Sequence, residues 1–497
     1  MSQALLKAQG IARKSVPAIL VALLFAFFFV SLFGEKHPYN DGAGFDGTFY
    51  REVFRNFSID FFAQGYDSFR IQRIFPFCLM NIIYRATGIP LDNMHMIWGM
   101  GVLHVLNLIV LVVIFFKLAS LRSWKASTSA ILFSVTFFNY FILKNCGYEL
   151  FQTDDFAMTI AFASYYLLLR GKPGWSYAVS LLGLITWPTV TIVNLLLILF
   201  RQPVAPASES HFGKILYKSA PIAYTVAAAG FVAASIAFHK QQVLSSLLQT
   251  DLNLWSVALS IATAGAVLWI ISRQASPFPY TPAHFITGKA IKSAILLAIP
   301  VIAVKGILWA HTNDEFFFDG KLFLLQILVR PLKYPAITIA GHVAYLGILL
   351  PLTLIMFRQF SKHIASLSPG FALAFLAIAL FSLDSEARHI IPFIPLVLAP
   401  LGAALDNLNL SARRAGLLIT LQLLLSHFYL PINGAGLAAA LDTQDFASSS
   451  AQRFFMSFGP WMTFQSYILW IAVSFVVFIT LWAVFRTNER PIPRNRP

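Results

Sequence analysis

The chain has 497 residues, of which 58% are hydrophobic and 11% charged, with a mean hydropathy of +0.71. A soluble domain carries about 45–50% apolar and roughly 25% charged residues, so a soluble enzyme, a β-barrel and a disordered chain are excluded. The composition is that of an all-α polytopic membrane protein. The excess of 36 Lys and Arg over 21 Asp and Glu is accounted for by topology rather than by nucleic acid, and Cys78 and Cys146 alone make no disulfide framework.

Lys7, Arg13 and Lys14 precede the apolar stretch 16–33. It is too long for a signal peptide and no small-residue cleavage site follows, so it is expected to be a retained first helix. Apolar runs of ~18 residues or more predict about twelve spans, near 16–34, 94–117, 127–143, 154–170, 217–238, 254–272, 288–309, 336–357, 367–382, 389–406, 415–431 and 466–486. Between Lys172 and Arg201 the apolar stretch is too short to cross twice and carries Thr186, Trp187 and Pro188 at its middle. Proline breaks a helix, so 173–200 reads as a re-entrant pair of half-helices. Such breaks are tolerated at membrane depth only where protein or water lines them.

With the N-terminus inside and twelve alternating spans, the inner segments hold 22 of the 36 Lys and Arg but only 3 of the 21 Asp and Glu. The positive-inside bias then places both termini inside, including the basic tail 486–497. Eighteen carboxylates face outward, as do the longest non-spanning segments, 35–93, 310–335 and 432–465. Acid–base chemistry is therefore expected at the outer membrane face.

The first outer loop carries Asp41, Gly42, Gly44, Asp46 and Gly47 ahead of Tyr50 and an aromatic run that reads as an interfacial helix. Glycine permits a tight turn that can hold a carboxylate at a cavity mouth, where partial burial suits it to general-base work. The alternative is that these acids cap the following helix. Arg70 and Arg73, three apart on one helical face, offer guanidinium forks for phosphate, or else snorkel to the headgroups. Glu149, Asp154 and Asp155 precede the span 154–170, where capping explains one acid better than two adjacent ones. Late in the chain Asp384, Glu386, Arg388 and His389 crowd a short polar turn. An arginine entering an apolar helix needs a partner, either a lipid phosphate or an acid of its own loop. His104, Lys305, His342 and His427, in or near spans, read as structural or water-facing. There is no Walker loop, GxSxG, HExxH or Cys/His cluster. No DxD pair occurs, so a metal is not indicated.

Taken together, these motifs resemble the GT-C class of membrane glycosyltransferases, in particular the bacterial multi-spanning mannosyltransferase-like members and the dolichyl-phosphate-sugar-dependent enzymes. The similarity rests on Gly44, Asp46 and Tyr50 after the first span, and on Arg70, Arg73 and Pro76 in the same loop. It continues at Asp154 and Asp155, at Thr186 and Pro188 in the broken segment, and at Glu386, Arg388 and Pro392. Trp187 departs from the pattern, since such proteins often have arginine after the threonine.

The resemblance implies one integral membrane domain over 1–497, with a GT-C-like core at 16–200 and variable helices over 201–497. It implies a bacterial inner-membrane enzyme with no cofactor beyond its co-substrate, a polyprenyl-phosphate-linked sugar. The sugar would pass to a hydroxyl of an envelope glycan, lipid or protein. Asp46, or Asp41, would be the base. Asp154 or Asp155 would orient substrate, while Arg388 with Arg70 or Arg73, and His389, would hold the donor phosphate. Tyr50, Glu149, Thr186 and Glu386 would line the cavity. Two other readings share these features. A transporter or lipid flippase also fits twelve spans and broken helices, although the halves show no repeat. A surface-polysaccharide polymerase or ligase would use a diphosphate-linked donor.

Overall fold

A computed structural model describes residues 3–201, 211–248, 250–275, 280, 285–313, 320–408, 410–433, 442–443 and 459–486. The basic tail beyond Arg486 and most of 432–465 lie outside the described residues. Among those described there is no strand, only an isolated bridge between Tyr66 and Thr312. Helix α1 (Gln3–Leu32) is followed by α2 (Gly47–Ala63) and α3 (Phe75–Thr87), then by the long α4 (Asn93–Leu121). Next come α5 (Ala126–Phe137), a π-helical turn at Phe141–Asn145, α6 (Cys146–Tyr148), α7 (Asp154–Leu169), α8 (Pro173–Leu181) and α9 (Pro188–Leu199).

Six helices are long and apolar enough to cross a membrane: Asn93–Leu121, Ser219–Ala237, Leu254–Gln274, Ala290–Ala310, Ala387–Asp406 and Phe464–Arg486. A seventh is counted if α5 and Phe141–Tyr148, bent by 49°, form one span. The chain is therefore a multi-helix membrane protein, but the expectation of twelve spans is not met among the described residues. The reason is helix breaking. The stretch 336–357 divides into Ile337–Leu346 and Leu349–Ile355, Pro369–Leu383 has 15 residues, α7 has 16 and Ala412–Leu425 has 14. A straight crossing needs about 20.

Two of the breaks are satisfied by protein groups, as a site without bulk water requires. After α5, Asn139 donates to the carbonyls of Val135 and Thr136 and accepts from Ile142 N–H at 3.0 Å. At Gly347 the backbone adopts φ +70° and ψ −129°, a region open essentially only to glycine. The buried amide of Gln422 closes this gap. Its oxygen accepts from Ile348 N–H at 2.8 Å, and its nitrogen donates to the carbonyls of Phe138 (2.9 Å) and Leu346 (3.2 Å). One side chain thus ties together three helices distant in sequence.

The segment 173–200 folds as an antiparallel hairpin. Ser176 faces Asn194, with Asn194 Nδ2 donating to Ser176 O at 3.2 Å, and Thr191 Oγ1 donates to Ser180 O. The turn is at Thr186 and Trp187, immediately before Pro188. Elsewhere α2 and α3 lie side by side, Tyr50 stacked on Phe77 at 4.7 Å and Phe54 edge-on to Tyr84 at 4.9 Å. Both are docked on α4, where Gly99 leaves room for the Tyr84 hydroxyl. Beyond α1, Glu35 pairs with Lys144 at 2.6 Å and accepts backbone N–H groups of Ile432 and Asn433. Both cysteines are free.

Replacing Gln422 with Leu strands three buried backbone groups, each worth about 1–3 kcal/mol. The expected result is a loss of roughly 3 kcal/mol, read as a clear fall in Tm in detergent. An unchanged Tm would mean the breaks are satisfied otherwise.

Candidate functional site

The turn before α2 is built from residues with positive φ, Asn40, Asp41, Gly42 and Gly44, which short polar side chains and glycine tolerate best. It is pinned by Arg51, which donates to Asn40 O at 2.8 Å and Asn93 Oδ1 at 3.0 Å. Gly44 is needed for its φ of +74°; a Cβ there would make only ordinary contacts with the His37 ring (3.5 Å) and Glu149 Oε1 (3.8 Å). Asp46 occupies the N-cap position of α2, yet its side chain makes no capping bond. Its carboxylate is half-exposed and 3.9 Å from Arg70, which is also 3.9 Å from buried Asp67. Asp41 is exposed, and what is held is its carbonyl, by Asn93 Nδ2. It is Asp46 whose charge acts on Tyr50, Glu149 and Arg388.

Around Asp46 the fold gathers groups from five distant segments. Glu149 ends the bent α5–α6 unit. Partial burial pushes its carboxyl up to about 7, Arg388 opposing and Asp46 reinforcing the shift. His37, 3.9 Å away, is held down to about 4 by burial, so it brings no charge at neutral pH. Tyr50 is driven up to about 12 by burial, against the field of Arg73, and keeps its phenolic proton. Asp154 is buried in the first turn of α7, its Oδ1 lacking a hydrogen-bond partner and its charge facing Arg388, Arg73 and His389. Arg73 is sandwiched between Phe69 (4.5 Å) and Trp187 (4.1 Å), a cation–π arrangement that fixes a guanidinium without neutralising it.

The late turn supplies the strongest electrostatic knot. Glu386 is buried and shared between Arg388 Nε at 2.5 Å and Arg330. Asp384, fully buried, accepts from His389 Nδ1 at 2.9 Å and lies 3.5 Å from Arg330. Burial alone would raise Glu386, but Arg388, His389 and Arg330 pull it well below the usual carboxylate range. The ligand atoms of Asp384, Glu386 and His389 lie within 4.8 Å of one another, as a metal site requires. Both oxygens of Glu386 and both of Asp384, however, already meet cationic or N–H partners. A divalent ion there would have to displace Arg330 and stand beside a second guanidinium, so these residues do not fit one.

Two sequence candidates stand apart. Asp155 is turned away from its neighbour Asp154. It accepts from Asn107 Nδ2 at 2.8 Å and meets His104 Nδ1 at 2.7 Å, while His104 Nε2 donates to Leu150 O. Each nitrogen of this ring faces an oxygen, so the histidine and Asp155 share a proton that ties α4 to α7. Thr186 is fully buried and spends its hydroxyl on Leu182 O at 2.8 Å. The neighbouring Trp187 reaches the site instead, against Arg73 and 6.2 Å from the His389 ring. Arg330 and Tyr345 join the site without having been expected there. Arg330 did carry a signal, an arginine closing an apolar run before Pro331. Tyr345, buried within an apolar helix but close enough to feel Asp154, Arg388 and Glu149, carried none.

No family model, curated protein or solved structure matches this chain.

Two outcomes follow from these charges. Glu386→Gln takes from Arg330 and Arg388 the carboxylate they share, with only Asp384 left 3.5 Å from Arg330, and should cost about 3 kcal/mol; a Tm equal to that of the parent would refute the shared-carboxylate account. Glu149 has a raised pKa in the folded chain, so the unfolded chain ionises first as pH rises. Stability is then lost between about pH 4.5 and 7. Glu149→Gln should remove that loss, on the order of 1–3 kcal/mol. The Tm of the variant relative to the parent should climb from pH 4.5 to 7.5, and a constant difference would rule out the shift.

Proposed function

We propose that this protein is a membrane glycosyltransferase of GT-C type, transferring a sugar from a polyprenyl-phosphate donor to an acceptor hydroxyl at the outer membrane face, with inversion. The observation that carries this reading is the meeting of two unlike sets of groups at one end of the helices. On one side are carboxylates suited to proton transfer, Asp46, Glu149 and Asp154. On the other are guanidinium groups held ready for a phosphate, Arg73 and Arg388.

In this reaction the acceptor oxygen attacks the anomeric carbon while Asp46 takes its proton. The bond from that carbon to the phosphate oxygen breaks, and polyprenyl phosphate leaves with the bonding pair and one more negative charge. Arg70 stands 3.9 Å from the Asp46 carboxylate. The base is expected to contribute about 10²–10⁴-fold. Arg388, oriented by Glu386, and Arg73, oriented by Trp187 and Phe69, stabilise the charge that grows on the leaving phosphate. Such preorganised groups cost no reorganisation at the moment of reaction. Glu149, in its ionised form, accepts a hydrogen bond from a neighbouring hydroxyl of the acceptor and so orients it. Arg70 is already between Asp46 and Asp67, which favours Arg73 over Arg70 as the second phosphate ligand.

The test is release of polyprenyl phosphate from a panel of polyprenyl-phosphate sugars by the protein in liposomes, with and without envelope acceptors. Acceptor-dependent release should fall at least about 100-fold in Asp46→Asn. Arg388→Ala should weaken donor binding and turnover together. In the parent, kcat/KM should rise as pH passes through about 7, where Glu149 ionises, and Glu149→Gln should flatten that limb. Movement of the intact lipid-linked sugar across the bilayer without release would make the protein a flippase and end this reading.

A further inference from the structure

The 3₁₀ turn Arg330–Leu332 serves two places at once. Arg330 enters the carboxylate knot, whereas Tyr334, just beyond the turn, lines a separate open cavity of about 730 Å³. The size is that of small-ligand sites, about 300–1,000 Å³. Its walls are Ser245, Thr250 and Asp251 ahead of the helix Leu254–Gln274, Tyr334 itself, and Phe464 and Gln465 at the head of the last span.

The chemistry of these walls narrows the ligand. Tyr334 and Phe464 meet edge-on with centroids 5.7 Å apart, and Tyr334 is backed by Tyr467, stacked at 4.7 Å. The platform is therefore rigid, and Phe464 is 60% exposed. The other lining residues bring hydroxyl, amide and carboxylate groups. Lys333, at the cavity edge, is buried and directs its ammonium to Pro460 O at 2.7 Å. A phosphate group would confront the Asp251 carboxylate. A hydrocarbon chain would strip water from Ser245, Thr250 and Gln465 without replacing its hydrogen bonds, which is costly. A pyranose has an apolar C–H face to lie on a ring and an edge of hydroxyls that donate to Asp251 and exchange bonds with Ser, Thr and Gln.

We propose that this cavity is a saccharide-binding site that holds the glycan portion of the acceptor. Its assignment to the acceptor rests on the transferase reading; its saccharide chemistry does not. The turn between Arg330 and Tyr334 makes the two sites neighbours, so a glycan seated here lies beside the carboxylate site without any of its wall residues serving the reaction.

Saturation-transfer NMR on the full chain in nanodiscs tests this, with the neutral trisaccharides of mannose, glucose, galactose and N-acetylglucosamine as probes. At least one should show saturated ring protons. The signal should fall about fivefold in Phe464→Ala and in Asp251→Ala, and persist in Asp46→Asn. Both wall residues are exposed, and an unchanged Tm verifies that the variants fold. No saturation of any probe, indifference to both variants, or displacement by inorganic phosphate would overturn the site. Saccharide binding without sugar transfer would keep the site and remove the transferase. Sugar transfer whose acceptor KM ignores both variants, with no saturation, would do the reverse.

Discussion

Two guanidinium groups share one buried carboxylate, and the candidate site depends on that sharing. A carboxylate as enclosed as Glu386 is tolerable only when paired and hydrogen-bonded. Here its two oxygens face Arg388, two residues on, and Arg330, 56 residues upstream. Asp384 adds a second anion and takes His389. The charge near Glu386 is thereby spent on holding the cations in place, and the field of Arg388 extends onward to Asp154 and Asp46. Orientation is supplied by one anion, while the remaining carboxylates stay available for chemistry.

Backbone breaks do the rest of the placing. After α5 the chain bends at Asn139 and runs through a π-helical turn to Glu149 and Asp154. At the hairpin tip, Trp187 N–H reaches back to Gly183 O at 2.6 Å, and the indole is presented to Arg73. Within a membrane such irregular backbone survives only inside protein, and each of these breaks is enclosed by the helices around it. The same local departures from helix that reduce the number of long spans also bring polar side chains from separate segments to one place.

Which parts could be read from the sequence follows from the kind of force involved. The membrane helices were legible because hydropathy sums over many residues. The hairpin turn was legible because Pro188 acts locally. The division of 336–357 was not, since its gap is closed by Gln422, far along the chain and unremarkable in an apolar helix. Asp154 and Asp155 look equivalent as neighbours, and only the position of His104 on α4 separates the carboxylate spent on a tie from the one that faces the arginines. At the broken segment the sequence drew the eye to Thr186, yet a hydroxyl with a free carbonyl one turn behind it bonds there. Arg330 carried a local signal, but its meaning comes from a carboxylate 56 residues away.

The ties between the ends of the chain also bear on how it is made. Glu35, directly after the first helix, is completed by the backbone of Ile432 and Asn433, and Phe138 waits for Gln422. Ser385 O is met by the N–H of Gly459. During synthesis the early helices must therefore enter the bilayer with these groups still unanswered, and the site closes only when the last spans arrive. A ribosome stalled before residue 422 would leave a membrane intermediate with open backbone bonds at mid-sequence. Such a species would expose backbone groups that the later helices enclose.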